Sequence, residues 1–147
     1  ADIDLWDFVR DENAGVPRIV DYFNGWARAV PQLRDVLIVR YEDMRKAPEK
    51  VFAQILDFTG TSAAEEDVRA AVEFARYDNM KKMEQSAFFR RSGARVKPGD
   101  KDNPQSFKVR KGKVGGYRDY FTDEQCAYLE NLAKDLDPVF GYRSQVS

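Results

Sequence analysis

The chain has 147 residues, of which 43% are hydrophobic, 13% aromatic and 33% charged. This length and composition predict one folded globular domain and exclude a disordered chain. With no histidine and a single cysteine, the sequence excludes a His/Cys metal site, a Ser-His-Asp triad and an internal disulfide. Because the lone Cys126 fits a reducing compartment and no apolar run reaches membrane length, we expect a cytoplasmic protein.

The net charge of −1 is unevenly distributed along the chain. Residues 1–75 carry a net charge of −6, residues 76–118 carry +9, and residues 119–147 carry −4. The basic middle segment suits a small anion, since clustered charge focuses the electrostatic field. A solvated charged surface is the alternative interpretation. The acidic flanks argue against a general nucleic-acid-binding protein.

The first predicted elements are helices. Residues 5–9 place Leu, Trp, Phe and Val among aspartates, which indicates a helical turn packed on a core. A longer helix is predicted from Pro17 to Val30, because proline suits the first turn of a helix and Pro31 prevents its continuation. Its apolar residues recur at helical spacing and predict one buried face. They are Ile19, Phe23, Trp26 and Val30.

Residues 36–41, Val-Leu-Ile-Val-Arg-Tyr, predict a different element. Four consecutive apolar residues, three of them β-branched, are typical of a strand buried on both faces of a parallel sheet. A buried strand needs partners for its backbone N–H and C=O groups. The other candidate strand, Ser106 to Val109, is weak. We therefore expect the remaining strands of the sheet to lie outside this sequence.

Local signals predict two more helices. Pro48 starts the first, and Gly60 ends it where a left-handed residue is favoured. Ser62 and Glu65 form a capping-box pattern for the second. The expected inner face of that second helix consists of small apolar residues. They are Val68, Ala71, Val72 and Ala75. Residues 77–84 predict one or two additional helical turns.

The C-terminal part of the chain begins with a long loop. Residues 86–105 are rich in glycine and proline, and a loop of that length is usually functional or disordered. Thr122 and Gln125 then form a second capping box, which predicts a helix ending near Pro138. The residues expected on its inner face are apolar. They are Cys126, Leu129, Ala133 and Leu136.

The most informative stretch is the basic segment 107–122, which contains Arg110, Lys111 and Gly112. Gly112 allows a free backbone turn and the close approach of a ligand to its amide. Arginine offers a planar fork for two phosphate oxygens, and lysine offers a mobile positive charge. The segment therefore predicts an anion site, with a solvated basic turn as the alternative.

Three blocks of the sequence resemble sulfotransferases that use 3′-phosphoadenosine 5′-phosphosulfate. The first is residues 36–44, Val-Leu-Ile-Val-Arg-Tyr-Glu-Asp-Met, followed by the proline-started helix that ends in glycine. The second is residues 77–82, Tyr-Asp-Asn-Met-Lys-Lys. The third, residues 109–122, is similar to the family's R-K-G-x-x-G signature followed by an aromatic residue, a basic residue and Phe-Thr.

The resemblance implies an α/β fold and covers only the C-terminal half of the family's domain. That domain is three-layered and related to P-loop kinases, and this half would be mostly helical with one or two strands. Residues 1–147 would be the C-terminal part of a single sulfotransferase domain, with 86–106 as a lid-like loop over the acceptor site. The family's phosphosulfate-binding lysine loop and histidine base have no counterpart here, so we predict no catalytic residue.

Site residues follow from the same resemblance. Arg110, Lys111 and Gly112 would contact the 3′-phosphate of the cofactor. Val109 would lie against the nucleoside, and Tyr77 would stack on the adenine, a role that an aromatic face suits. The alternative for Tyr77 is a half-buried aromatic residue at a helix end.

Two departures from the family pattern limit what the resemblance implies. Ala75 stands where animal cytosolic members carry a threonine, so no side-chain hydrogen bond to the cofactor is expected there. Some members pair through a Lys-x-x-x-Thr-Val-x-x-x-Glu segment, and that mode of dimerisation is not expected here. The aligned residues in this chain are Arg118, Thr122, Asp123 and Ala127.

The implied function is transfer of a sulfuryl group from the nucleotide donor to a hydroxyl or amine acceptor. We expect the chain alone to be inactive, with a weak or incomplete donor site. Glu42, Asp43 and Glu84 are poor candidate bases, because an exposed carboxylate has a pKa near 4. The alternative is a non-catalytic interaction module, self-associating or partner-binding, that uses its unpaired strand. Nucleic-acid binding is the least favoured function, and no membrane or metal partner is predicted.

Overall fold

The structure is a computed structural model that describes residues 3–86, 88, 99–100, 102–103, 106–109 and 112–142. The chain divides into two compact units. The first unit combines Ala1–Ile38 with Tyr117–Ser147, and the second is Val39–Gly116. No helix in the described ranges has the length and apolar character needed to cross a bilayer.

All regular elements in the described parts are helical. The α-helices, in chain order, are α1 (Leu5–Arg10), α2 (Val16–Ala29), α3 (Tyr41–Lys46), α4 (Pro48–Phe58), α5 (Glu65–Phe74), α6 (Tyr77–Gln85) and α7 (Asp123–Ala133). Short 3-10 turns cover Val30–Gln32, Gly116–Asp119 and Pro138–Phe140. The prediction of a mostly helical chain is therefore confirmed.

The first unit is held by aromatic contacts and by the packing of α2 against α1 and α7. The ring of Trp6 lies 5.7 Å from the ring of Phe121 and 5.4 Å from that of Tyr128, measured between centroids. Phe23 of α2 meets Phe140 edge to face, with 5.4 Å between their centroids. Tilted and edge-on arrangements of this kind are the favourable ones for aromatic pairs.

A side-chain amide also joins α2 to the segment that follows α7. The Asn24 side-chain N–H donates to the carbonyl oxygen of Asp135 over 2.9 Å. The Asn24 carbonyl oxygen accepts from the backbone N–H of Asp137 over 2.8 Å. Because one amide satisfies both a donor and an acceptor of the chain, it fixes the register of the two segments.

The second unit contains α3 to α6, with α4 packed on α3 and on α5. Val51 of α4, Val68 of α5 and Met83 of α6 are buried. The amphipathic pattern of these three helices thus buries one apolar side chain from each.

The C-terminus of α4 forms the turn that its glycine predicts. Gly60 has φ of +68°, its N–H donates to the carbonyl of Asp57, and the N–H of Thr61 donates to that of Leu56. These two bonds define a Schellman motif, which satisfies carbonyl groups that the helix end would leave without partners.

Several other sequence-based boundaries are confirmed. Pro17 lies in the first turn of α2, and Pro48 in that of α4. Thr122 and Gln125 make both bonds of a capping box at the start of α7. The predicted and observed boundaries agree at these positions because caps and prolines act through local backbone geometry.

The predicted strands are wrong for this chain. Residues 36–40 form no strand, Tyr41 begins α3, and residues 106–109 form no strand either. A strand exists only with a neighbour to share its ladder bonds, and the described ranges contain none. The apolar side chains of the segment remain partly in solvent, with exposures of 40% for Val36, 36% for Leu37 and 37% for Val39.

Two smaller predictions are also corrected. The buried residue of α2 is Val20, whereas Ile19 and Trp26 on the predicted inner face are about half exposed. Ser62 caps nothing, because α5 begins at Glu65 with Ala64 before it. Acidic residues in the first turn interact favourably with the helix dipole instead.

We expect Gly60→Ala to lower the free energy of unfolding by about 1 kcal/mol, because an alanine is strained at a positive φ. Nothing lies within 4 Å of the added Cβ, so the loss comes from the backbone alone. The matched control is Gly25→Ala inside α2, which we expect to stabilise by about 0.5–1 kcal/mol. Urea unfolding of both variants measures these changes, and equal effects at the two sites would contradict this account.

Candidate functional site

The candidate site is built around Gly112, whose φ of +53° lies in the left-handed region. A Cβ added there would lie 3.4 Å from Cδ2 of Tyr77 and 3.7 Å from the hydroxyl oxygen of Tyr41. It would also lie 4.0 Å from Cζ of Arg45. The backbone of Gly112 therefore faces two phenol rings and a guanidinium, and the missing side chain leaves room that any other residue would fill.

Tyr77 is the first residue of α6 and is half-buried. One turn further on, Lys81 places its ammonium 3.4 Å from the Tyr77 hydroxyl and 5.6 Å from the centre of the ring. The spacing of four residues puts both side chains on one face of the helix. The result is an aromatic ring with a positive charge beside it.

Tyr41 and Arg45 come from opposite ends of α3, four residues apart on one face. The helix begins with an ion pair in which the Arg40 guanidinium donates to both carboxylate oxygens of Asp43, over 2.8 and 2.9 Å. The hydrogen bonds and positive charge of Arg40 lower the pKa of Asp43. Asp43 is therefore a paired carboxylate, which makes it unsuited to act as a base.

Glu84, near the end of α6, is buried to 1% exposure. One of its carboxylate oxygens accepts the backbone N–H of Lys108 over 2.7 Å, and the other accepts that of Val109 over 2.9 Å. The sequence-based treatment of Glu84 as an exposed carboxylate is therefore wrong. The group holds the chain directly before the basic loop.

The predicted site residues divide into two groups. Gly112 and Tyr77 are brought together, and Val109 is half-buried next to the carboxylate of Glu84. Arg110 and Lys111 lie outside the described residues, as does most of the lid-like loop 86–106.

Sequence reasoning missed the parts that Tyr41, Arg45 and Glu84 play in this arrangement. Tyr41 was placed at the end of a strand, although Glu42 and Asp43 after it suit the first turn of a helix. Glu84 follows Tyr77 by seven residues, which is two helical turns and therefore the same face. That spacing is the signal in the sequence that links the carboxylate to the aromatic residue.

A second polar cluster lies in the first unit. The Tyr117 hydroxyl donates to the Glu130 carboxylate over 2.8 Å, and the Arg118 guanidinium is bonded to the same oxygen. Burial of the Tyr117 hydroxyl raises its pKa, and the hydrogen bond to Glu130 raises it further. The cluster ties the 3-10 turn at Gly116–Asp119 to α7 and leaves no free base.

A cleft of about 790 Å³ in the first unit is less suited to an anion. Its charged lining residues are three acids, Glu12, Asp21 and Asp135, and one base, Arg18. The described residues also contain no group of three or more acidic or cysteine side chains arranged to hold a metal ion. The site around Gly112 is therefore the better candidate for an anion, because it combines two phenol rings with the cations Arg45 and Lys81.

Comparison with known proteins supports the family resemblance of the sequence. A family model described as a sulfotransferase domain matches residues 4–137, which is most of the chain. The chain belongs to this sulfotransferase family.

A similar curated protein is an amine sulfotransferase from Oryctolagus cuniculus, 28% identical over 115 residues. The match covers 78% of this chain but only 37% of the relative, so the chain spans little more than a third of the length of that protein. No solved structure matches the chain significantly.

We expect Gly112→Ala to destabilise the chain by about 1–2 kcal/mol, because an alanine is strained at a positive φ. The new methyl group would come into van der Waals contact with the Tyr77 ring and should therefore shift its resonances. Gly116→Ala is the matched control, since its Cβ would meet only Lys113 at 3.8 Å and its φ is not positive. Urea unfolding and the NMR resonances of the Tyr77 ring provide the two measurements. Identical behaviour of the two variants would contradict the proposed geometry.

Proposed function

We propose that this chain is the C-terminal part of a sulfotransferase domain that uses 3′-phosphoadenosine 5′-phosphosulfate, and that it contributes contacts to the nucleotide. The observation that carries the proposal is the position of Gly112, whose backbone lies beside the ring of Tyr77 and the guanidinium of Arg45. An aromatic face, a backbone that a ligand can approach and nearby positive charge are what an adenosine phosphate needs.

The residues fit the donor in chemical type. Tyr77 offers a ring face for adenine, and Val109 an apolar contact for the nucleoside. Arg110 and Lys111 supply two positive charges in the sequence next to Gly112, where the 3′-phosphate would bind. Lys81 adds a further cation beside Tyr77.

The reaction itself needs groups that this chain lacks. An acceptor oxygen or nitrogen forms a bond to sulfur while the bond from sulfur to the 5′-phosphate oxygen breaks. The electron pair leaves with the phosphate as adenosine 3′,5′-bisphosphate, and the acceptor proton passes to a base. The sequence has no histidine, and the two carboxylates described above, Asp43 and Glu84, are already hydrogen-bonded.

The proposal extends to the context of the chain. The helices described here would pack on a parallel sheet in a P-loop-kinase-like three-layer domain, in a cytoplasmic enzyme. The acceptor would be a hydroxyl or an amine, and the similarity to an amine sulfotransferase supports the second of these.

A second candidate function is that of an interaction module. It is favoured by the partly exposed apolar side chains of Val36, Leu37 and Val39. These side chains and the backbone N–H and C=O groups of the segment could pair with the same segment of another copy. A concentration-dependent dimer on a sizing column, abolished by Leu37→Lys, would support this candidate. A monomer at all concentrations would remove it.

We expect the chain to bind adenosine 3′,5′-bisphosphate with a Kd of about 1 mM or weaker, because two or three charged contacts barely exceed the entropy lost on binding. The double variant Arg110→Ala, Lys111→Ala should weaken binding by at least about tenfold. Lys50→Gln removes a positive charge on α4 and should leave binding unchanged. An NMR titration measures all three, and tight micromolar binding or an unaffected double variant would contradict the proposed site.

We also expect no sulfotransferase activity from the 147-residue chain with the nucleotide donor and an amine acceptor. The reason is the absence of a base and of a lysine-bearing phosphate loop in its sequence. Transfer of radioactive sulfate from the donor to the acceptor is the measurement. Turnover that is abolished by a substitution in this chain would refute the prediction.

A further inference from the structure

We propose that Glu84 is a positioning residue, which fixes the backbone that leads into the basic loop. Its carboxylate accepts the N–H groups of Lys108 and Val109, one on each oxygen. Neither N–H is bonded within a helix or a sheet, so the side chain of Glu84 replaces the secondary structure that would otherwise hold this segment. The consequence for nucleotide binding rests on the function proposed above.

The burial of Glu84 shows that this interaction is built into the fold. Among the described residues it is the one charged side chain that is fully buried. Taking a carboxylate out of water is costly unless it is paired or hydrogen-bonded, and here two backbone donors satisfy it. Hydrogen bonds to an ionised acceptor are stronger than those between neutral groups, and distances of 2.7 and 2.9 Å are typical of them.

Helix α6 carries both ends of the arrangement. Tyr77 at its start lies beside Gly112, and Glu84 two turns later holds the backbone of residues 108 and 109. Seven residues of helix place the two side chains on one face, about 10.5 Å apart along the axis. One rigid element therefore sets the position of the aromatic ring and the course of the chain on both sides of positions 110 and 111.

The carboxylate cannot be replaced by an amide of the same shape. Glutamine has one acceptor oxygen and an NH₂ group, so one backbone N–H would face a donor and lose its partner. Glu84→Gln keeps the volume of the side chain and removes the double acceptor. Asp78→Asn is the matched control, because it removes a carboxylate from the same helix at an exposed position.

The experiment is amide hydrogen exchange by NMR on the 147-residue chain. Glu84→Gln should reduce the protection of the Lys108 and Val109 amides by about tenfold or more relative to Val51 and Val68, and should shift the Gly112 amide resonance. Val51 and Val68 report the unfolding of the helices, since their N–H groups are bonded within the first turns of α4 and α5. An equal loss at all four amides would show a role in global stability alone and overturn the proposal, as would no loss at all.

A titration with adenosine 3′,5′-bisphosphate separates this proposal from the proposed function. If the unaltered chain binds, Glu84→Gln should weaken binding by about tenfold while Asp78→Asn binds normally. If Glu84→Gln loses protection at the Lys108 and Val109 amides but binds the nucleotide as tightly as the unaltered chain, the positioning role is overturned. If the unaltered chain does not bind, the proposed function fails, and the exchange data still decide whether Glu84 holds the segment.

Should Glu84→Gln fail to fold, Glu84→Asp gives the decisive comparison. Its carboxylate is withdrawn by about 1.5 Å, so it can reach only one of the two amides. We expect protection to be lost at one amide of the pair and kept at the other. Full protection of both would overturn the proposal.

Discussion

The second unit depends on one buried carboxylate. Glu84 has no water to solvate it, so the backbone of residues 108 and 109 must stay within hydrogen-bond distance of the end of α6. Tyr77, on the first turn of the same helix, lies beside Gly112. Because α6 is stiff over two turns, it fixes the position of the backbone at residues 108 and 109 relative to the Tyr77 ring. Residues 108 and 109 therefore need no strand partner to hold them.

Elsewhere, the described part of the chain is stabilised more by helix caps, turns and side-chain hydrogen bonds than by a large apolar core. Six hydrophobic residues are buried in the described part of the chain, while Ile19 and Trp26 of α2 and the apolar residues at 36–39 stay partly in solvent. The Schellman turn after α4, the capping box of α7 and the amide of Asn24 satisfy backbone groups one at a time. Under the proposed function, the exposed apolar surface is what the rest of a three-layer domain would cover.

The chain belongs to the sulfotransferase family, and under the proposed function it would supply only part of the active site. This part offers an aromatic ring, cations and a glycine backbone, all of which suit the nucleotide. Under the same proposal, the proton acceptor and the lysine that would stabilise the leaving phosphate are not supplied by this sequence, which contains no histidine. The proposed function would then place nucleotide contacts in this chain and bond breaking in another part of the domain.

The sequence by itself determined the family and six of the seven α-helices described, most of them with boundaries correct to within a few residues, because prolines, caps and helical periodicity act within a few residues of the chain. It did not predict α3, whose first residue it placed in a strand. Through the resemblance it also predicted that Tyr77 and Gly112 belong to one cofactor site, but it did not predict that they are in contact. Only the tertiary structure decided that residues 36–40 form no strand, that Val20 is the buried residue of α2, and that Glu84 is a buried double acceptor. These features depend on which groups from distant parts of the chain are present to pair or pack. The sequence of a β-prone segment is the same whether or not a neighbouring strand exists, and the sequence around a glutamate does not show which backbone donors will reach its carboxylate.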